Sequence, residues 1–181
     1  MAQRPTVDDG ITAATLALLR TRGPKSVTVE AVAARSGIAK TTIYRRHRDR
    51  RDMLSAALSK MTSPEPLGAH AAAPDRLRWL IAEAVKAIEV GIGFGGLAAM
   101  LTDEDPDFTK LFRRILAKQR AELESVIDAA KADGSFRADI DGATLIDAVV
   151  GAIIAERART GRVARDWEAR LFDLLWPTVR A

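Results

Sequence analysis

The chain has no cysteine and no asparagine. It holds two histidines (His47 and His70) and one tyrosine, and only 5% of its residues are aromatic. Each shortage excludes something. Without cysteine there is no disulfide scaffold, no thiolate metal site and no cysteine nucleophile. With one histidine in the basic head and the other in a Pro-rich stretch, the sequence gives no grounds to argue a histidine-based metal centre or a Ser/His/Asp triad. His70 sits in a Pro-rich stretch and reads as a solvated loop residue. No uninterrupted apolar run reaches the ~18 residues of a membrane span, and no charged-then-apolar leader opens the chain. The expectation is a soluble cytoplasmic protein that carries no metal or cofactor and is not an enzyme.

What is present is apolar surface and unevenly placed charge. Hydrophobic residues make up 48% of 181, enough for a real core. The formal net charge is +4. Residues 1–62 carry 12 Lys+Arg against 5 Asp+Glu, whereas residues 63–181 carry 16 against 19. A basic head on a mildly acidic body suits a polyanion-binding module joined to a part that does not bind polyanions. The bland alternative is a solvated basic face. Arg outnumbers Lys 21 to 7, a hint of a GC-rich bacterial genome.

Apolar spacing of three and four predicts helices almost throughout. Ile11, Ala14, Leu18 and Leu19 mark one over Val7–Arg22, stopped by Gly23 and Pro24. Thr28 can cap a short helix, Val29–Ser36, and Gly37 breaks it. A second short helix covers 40–47. Asp49 can cap another running through Met53, Leu54 and Leu58 toward Met61. Three prolines and a glycine in residues 62–74 mark the boundary between a head, 1–62, and a body, 63–181. In the body, one helix begins at Pro74, and residues 91–96 interrupt it. An acidic run (Asp103, Glu104, Asp105 and Asp107) precedes a long helix that starts near Phe108 and ends at Gly134. Two more span 143–160 and 165–176, the last closed by Pro177. No segment has the strand period, so the fold class is all-α.

Three short helices in about 45 residues, with a glycine between the second and third, form the helix-turn-helix pattern. Ala33 lets the two helices approach, Gly37 can take the positive φ of the tight turn, and Ile38 and Ile43 point inward. Lys40, Thr41, Thr42, Tyr44, Arg45 and His47 are left on the outer or leading side, as donors and a ring suited to a groove and its phosphates. Arg45, Arg46, Arg48, Arg50 and Arg51 crowd together, which phosphate neutralisation would explain.

Residues 27–54, VTVEAVAARSGIAKTTIYRRHRDRRDML, resemble the N-terminal DNA-binding domain of the TetR family of bacterial transcriptional repressors. The matching elements are Val32-Ala33, Gly37-Ile38, Thr42-Ile43-Tyr44, a basic residue at Arg50 and the pair Met53-Leu54. The chain departs from the family in having His47 where an aromatic is usual and Arg50 where lysine is usual. The resemblance implies that Thr28, Thr42, Tyr44 and Arg50 touch backbone phosphates and that Lys40, Thr41 and Arg45 face base edges. Arg46 and Arg48 could do either.

A single small reader covers too few bases for genomic selectivity, so a homodimer on a palindromic double-stranded operator is expected. By resemblance, the last two helices of each subunit form the dimer bundle, with Ile146, Val149, Val150, Ile153, Ile154, Leu171, Leu174 and Leu175 as candidates. The alternative is that these side chains close the body's own core. A pocket for an apolar or aromatic effector would be lined by Leu80, Ile81, Ala84, Ile88, Phe94, Met100, Phe108, Phe112, Ile115 and Gln119. Stripes of this kind are more often plain core. The sequence leaves open a repressor released by its effector, an activator, or a regulator with no small-molecule ligand. The run 91–96 satisfies G-x-G-x-x-G but follows a helix, so a flexible break is expected there, not a dinucleotide site.

Overall fold

The computed structural model describes residues 6–59, 66–68 and 71–181, and His70 and Met61 lie outside them. The fold is all-α: among the described residues there is no strand, only an isolated bridge between Phe136 and Arg180. The helices are α1 (Val7–Arg22), α2 (Val29–Ser36), α3 (Lys40–Arg46), α4 (Arg50–Ser59), α5 (Ala73–Lys86), α6 (Gly93–Leu101), α7 (Pro106–Ala132), α8 (Gly142–Thr160) and α9 (Trp167–Val179).

Two compact units result. The first comprises residues 1–63 with 87–116, and the second comprises 64–86 with 117–181. The grouping does not follow chain order alone, because residues 87–116, assigned to the body by sequence, pack with the N-terminal helices.

In the first unit α1 is the central rod. Thr6 and Asp9 cap it reciprocally: the Thr6 hydroxyl accepts from the Asp9 N–H at 3.2 Å, and the Asp9 carboxylate accepts from the Thr6 N–H at 3.0 Å. Ile11, Ala14, Leu18 and Leu19 face inward, where Val32, Ile43, Met53, Leu54 and Leu58 meet them as core. The glycine-rich run then takes on a role the sequence did not disclose. The backbone breaks at Gly91 (ψ −118°), and Arg20 Nε donates to the freed Gly91 carbonyl at 2.9 Å. A Cβ on Gly93 would lie 2.7 Å from Arg20 Cβ, and one on Gly95 would lie 2.7 Å from the Arg20 carbonyl oxygen. The break is real, but these glycines serve the close approach of α6 to α1. Ala73–Leu101 is long and apolar enough by composition to cross a membrane, yet half of its most apolar window is buried in the protein, as a core helix is.

The second unit is built from α5, the later part of α7, α8 and α9. Helix α5 packs on α8 and on α9, and Leu77, Leu80, Ile81 and Ala84 of α5, Leu145, Ile146, Val149 and Ile153 of α8, and Trp167, Leu171 and Phe172 of α9 are buried. Arg120 is tied to Asp147 at 2.6 Å, to Glu124 at 3.0 Å and to the Ala143 carbonyl at 2.7 Å. Pro177 does not close α9, which runs on to Val179. Proline costs the helix one hydrogen bond, from its missing N–H to the carbonyl of Asp173, and both residues are exposed to water there. Val179 is buried, and its carbonyl accepts from the Arg137 N–H at 2.9 Å, so tertiary contacts hold the last turn.

Candidate nucleic-acid interface

Local chemistry sets α3. The Thr28 hydroxyl accepts from the Ala31 N–H at 3.1 Å and starts α2. Gly37 ends it in the left-handed region at φ 72°, and its N–H donates to the Ala33 carbonyl. Ala39 then opens α3 without a side-chain cap, and Ile43 is wholly buried beneath it. With one side fixed by Ile43, the opposite side is presented: Lys40, Thr41, Tyr44 and Arg45 are exposed and Thr42 is half-buried. Tyr44 is 54% exposed, which is much open apolar surface for a ring in a well-packed unit.

The arginines divide by their partners. Arg45 has no acceptor among the described residues, and Arg48 is 90% exposed with only Asp52 near it at 3.7 Å. Lys40 lies 3.4 Å from Glu30, and both are exposed. The Glu30 carboxyl is held below its usual range, first by its own backbone N–H and then by Lys40. Arg46 is not a free groove cation: its Nη1 donates to both oxygens of Asp8 on α1 at 2.7 Å. Arg50 also turns inward. Nε donates to the Val27 carbonyl at 2.9 Å, and Nη2 donates to the Pro24 carbonyl and to Asp105 Oδ2, each at 2.5 Å. Asp105 was legible as a helix-start carboxylate, and it does accept from the Phe108 N–H at 3.0 Å. Its pairing with Arg50 had no sequence signal, since 55 residues separate them.

His47 ends α3, its N–H donating to the Ile43 carbonyl at 2.9 Å. It borders a groove of about 290 Å³ with Asp8, Thr12 and Ala56. The imidazole therefore stands half-buried beside α1 and α4, and the departure from an aromatic has not unseated Ile43.

The other predicted sites are only partly assembled. Of the proposed pocket residues, Leu80, Ile81, Ala84 and Gln119 belong to the second unit and the remaining six to the first. Leu80, Ile81, Ala84, Ile88, Phe108, Phe112 and Gln119 are buried, while Phe94, Met100 and Ile115 are half-buried. Phe108 and Phe112 stack with centroids 5.8 Å apart. A groove of about 450 Å³ in the second unit takes only Ile81 from that set, and it is otherwise bordered by Arg78, Arg165, Phe172 and neighbours on α9. Of the dimer candidates, Ile146, Val149, Ile153 and Leu171 are buried within their own chain and cannot also cover a partner. The wide apolar character of α8 and α9 let these inward residues pass for surface. Outward on the same helices lie Ala148, Gly151 and Ala155, all exposed, with Val150, Ile154 and Leu175 half-buried and Leu174 70% exposed.

Comparisons with known proteins agree with this geometry. The family model described as bacterial regulatory proteins, tetR family, matches residues 11–57. A second, described as tetracyclin repressor-like, C-terminal domain, matches residues 77–175. Solved structures share the fold. A TetR-family transcriptional regulator from Rhodococcus sp. is 22% identical with a TM-score of 0.72, covering 92% of this chain and 97% of its own. A transcriptional regulator from Saccharomonospora viridis, in complex with choline, is 17% identical with a TM-score of 0.68, covering 96% and 97%. The ketosteroid transcriptional regulator KstR2 of Mycobacterium tuberculosis is 18% identical with a TM-score of 0.65, covering 99% and 97%. No curated protein matches the chain.

Proposed function

The chain belongs to the TetR family of bacterial transcriptional regulators, and from that premise we propose that it is a homodimeric, cytoplasmic repressor that binds a palindromic operator and leaves it when a small effector binds. The observation that carries the DNA reading is α3: a helix pinned by Ile43 that offers Lys40, Thr41, Tyr44 and Arg45 outward, with the arginine free of acidic partners among the described residues. Lys40, Thr41 and Arg45 suit base edges, while Thr28, Thr42, Tyr44 and Arg48 suit backbone phosphate. The dimer is supported by what the α8 and α9 faces leave bare, an exposed Leu174 on α9 and, on α8, small residues that allow a second helix to approach closely. The effector is supported by the C-terminal family match, and the choline-bound neighbour is a precedent for a small organic ligand on this fold. Gln119 is the buried amide that would orient an otherwise apolar or aromatic compound. Release requires the effector to prefer the state whose recognition helices no longer fit successive major grooves.

The test is selection of bound fragments from genomic DNA by the purified chain, with excess random competitor. A recovered palindrome supports the reading. Recovery of unrelated fragments only, in both the presence and the absence of extracted small molecules, would overturn it.

A further inference from the structure

Arg50 is held in an unusual way for a residue on a DNA-facing unit. An arginine has five N–H donors. Three of them are engaged, by the carbonyls of Val27 and Pro24 and by Asp105 Oδ2. The two on Nη1 have no acceptor among the described residues, and the side chain is 32% exposed. The carboxylate that holds it is itself immobilised. Asp105 is 10% exposed at its side chain, and its other oxygen accepts the Phe108 N–H at the start of α7. One guanidinium thus joins the first turn of α4, the connection between α1 and α2, and the cap of α7, with one amino group left over. Its neighbours Arg48 and Arg51 are exposed.

We propose that Asp105 is a positioning residue for DNA binding: it fixes the Arg50 guanidinium so that the unshared Nη1 group meets a backbone phosphate while Nε and Nη2 stay anchored. The proposal rests on the DNA-binding reading above and assigns a DNA-binding role to a residue outside the helix-turn-helix. It also accounts for arginine at this position. A lysine ammonium is a single point of charge and cannot hold the three inward acceptors in a planar fork while offering a separate amino group outward.

The experiment uses the full chain and a fluorescein-labelled random-sequence duplex of about 30 base pairs, read by anisotropy across a salt series. Asp105→Asn keeps the cap, since asparagine also accepts from the Phe108 N–H, but removes the charge-assisted bond to Arg50. Asp107→Asn, two residues away and exposed, makes the same change in net charge and is the control. Asp105→Asn should bind about fivefold more weakly than Asp107→Asn. In an Arg50→Ala background the two should be equal, and that background should lower the salt slope by about one charge. Arg50→Lys should weaken binding to a similar extent while keeping the slope, and it tests the idea even where the asparagine variant is poorly folded. Three results would overturn the proposal: Asp105→Asn binding as tightly as the control, a gap that persists without Arg50, or Arg50→Lys behaving as wild type. A wild-type chain that fails to bind the duplex at about 50 mM salt would remove the DNA reading itself and this proposal with it.

Discussion

Gly95→Ala sets two effects of opposite sign against each other. Alanine favours a helix interior over glycine by roughly 0.5–1 kcal/mol. Against this, the new Cβ would stand 2.7 Å from the Arg20 carbonyl oxygen, 3.2 Å from its carbon and 3.2 Å from the Leu19 carbonyl oxygen. All three are backbone atoms of α1, so no side-chain rotation relieves the overlap and α6 must move off α1. Overpacking of this kind costs about 1–3 kcal/mol. The shift would also loosen the packing of Leu19, Leu97 and Ala99, which are all buried. The clash should win, with a net loss of about 1–2 kcal/mol, which in a chain of this size lowers the melting temperature by roughly 2–8 °C. Gly151→Ala is the internal contrast, because its Cβ meets nothing within 4 Å and only the helix preference remains. At protein concentrations where the chain is monomeric it should gain roughly 0.5–1 kcal/mol. Thermal and urea unfolding followed by circular dichroism measure both. If Gly95→Ala were as stable as wild type, the close crossing of α1 and α6 would be refuted.

Arg45→Ala should cost ~1–3 kcal/mol on the selected operator but little on random DNA. Equal loss on both would reassign it to phosphate. Leu174→Asp should shift the sedimentation profile toward monomer and weaken operator binding. An unchanged profile would remove α9 from the interface. Arg120 holds the Asp147 carboxyl below its usual range chiefly through their hydrogen bond. Ser135 and Arg76 lower Asp133, and Arg137 lowers Asp139. A lowered folded pKa contributes stability above the unfolded value of about 4, and that contribution is lost as pH falls through the folded one. The urea midpoint should therefore drop on acidification below about pH 4, and the drop should be smaller in Asp147→Asn. A midpoint that stays flat on acidification would contradict the pairing.

Where the controlling interactions are local, the sequence was readable. The bounds of α1 and α2, the Thr28 cap and the turn at Gly37 all follow from residues within four positions of each other. The exposed set on α3 follows from Ile43 alone. Long-range pairings were not readable. Nothing near Arg46 or Arg50 signals that Asp8 and Asp105 claim them. The extension of α9 beyond Pro177 depends on Val179 and Arg137, whose contact joins distant parts of the chain. On α8, apolar residues on two sides left the inward face undecided until burial singled out Ile146, Val149 and Ile153.

The glycines of α6 also bear on how the protein could be re-engineered. A mutant library aimed at new ligand responses would naturally randomise the helices of the C-terminal family match. Gly93 and Gly95 lie inside that match, yet their neighbours are the backbone and side chain of Arg20 at the end of α1. Diversifying them would deplete the library of folded members before any ligand was tried. Ala98 and Leu101, exposed on the same helix, can vary freely without touching that crossing. Within α6 the productive sequence space is thus its solvent face, and selections should hold 93 and 95 constant.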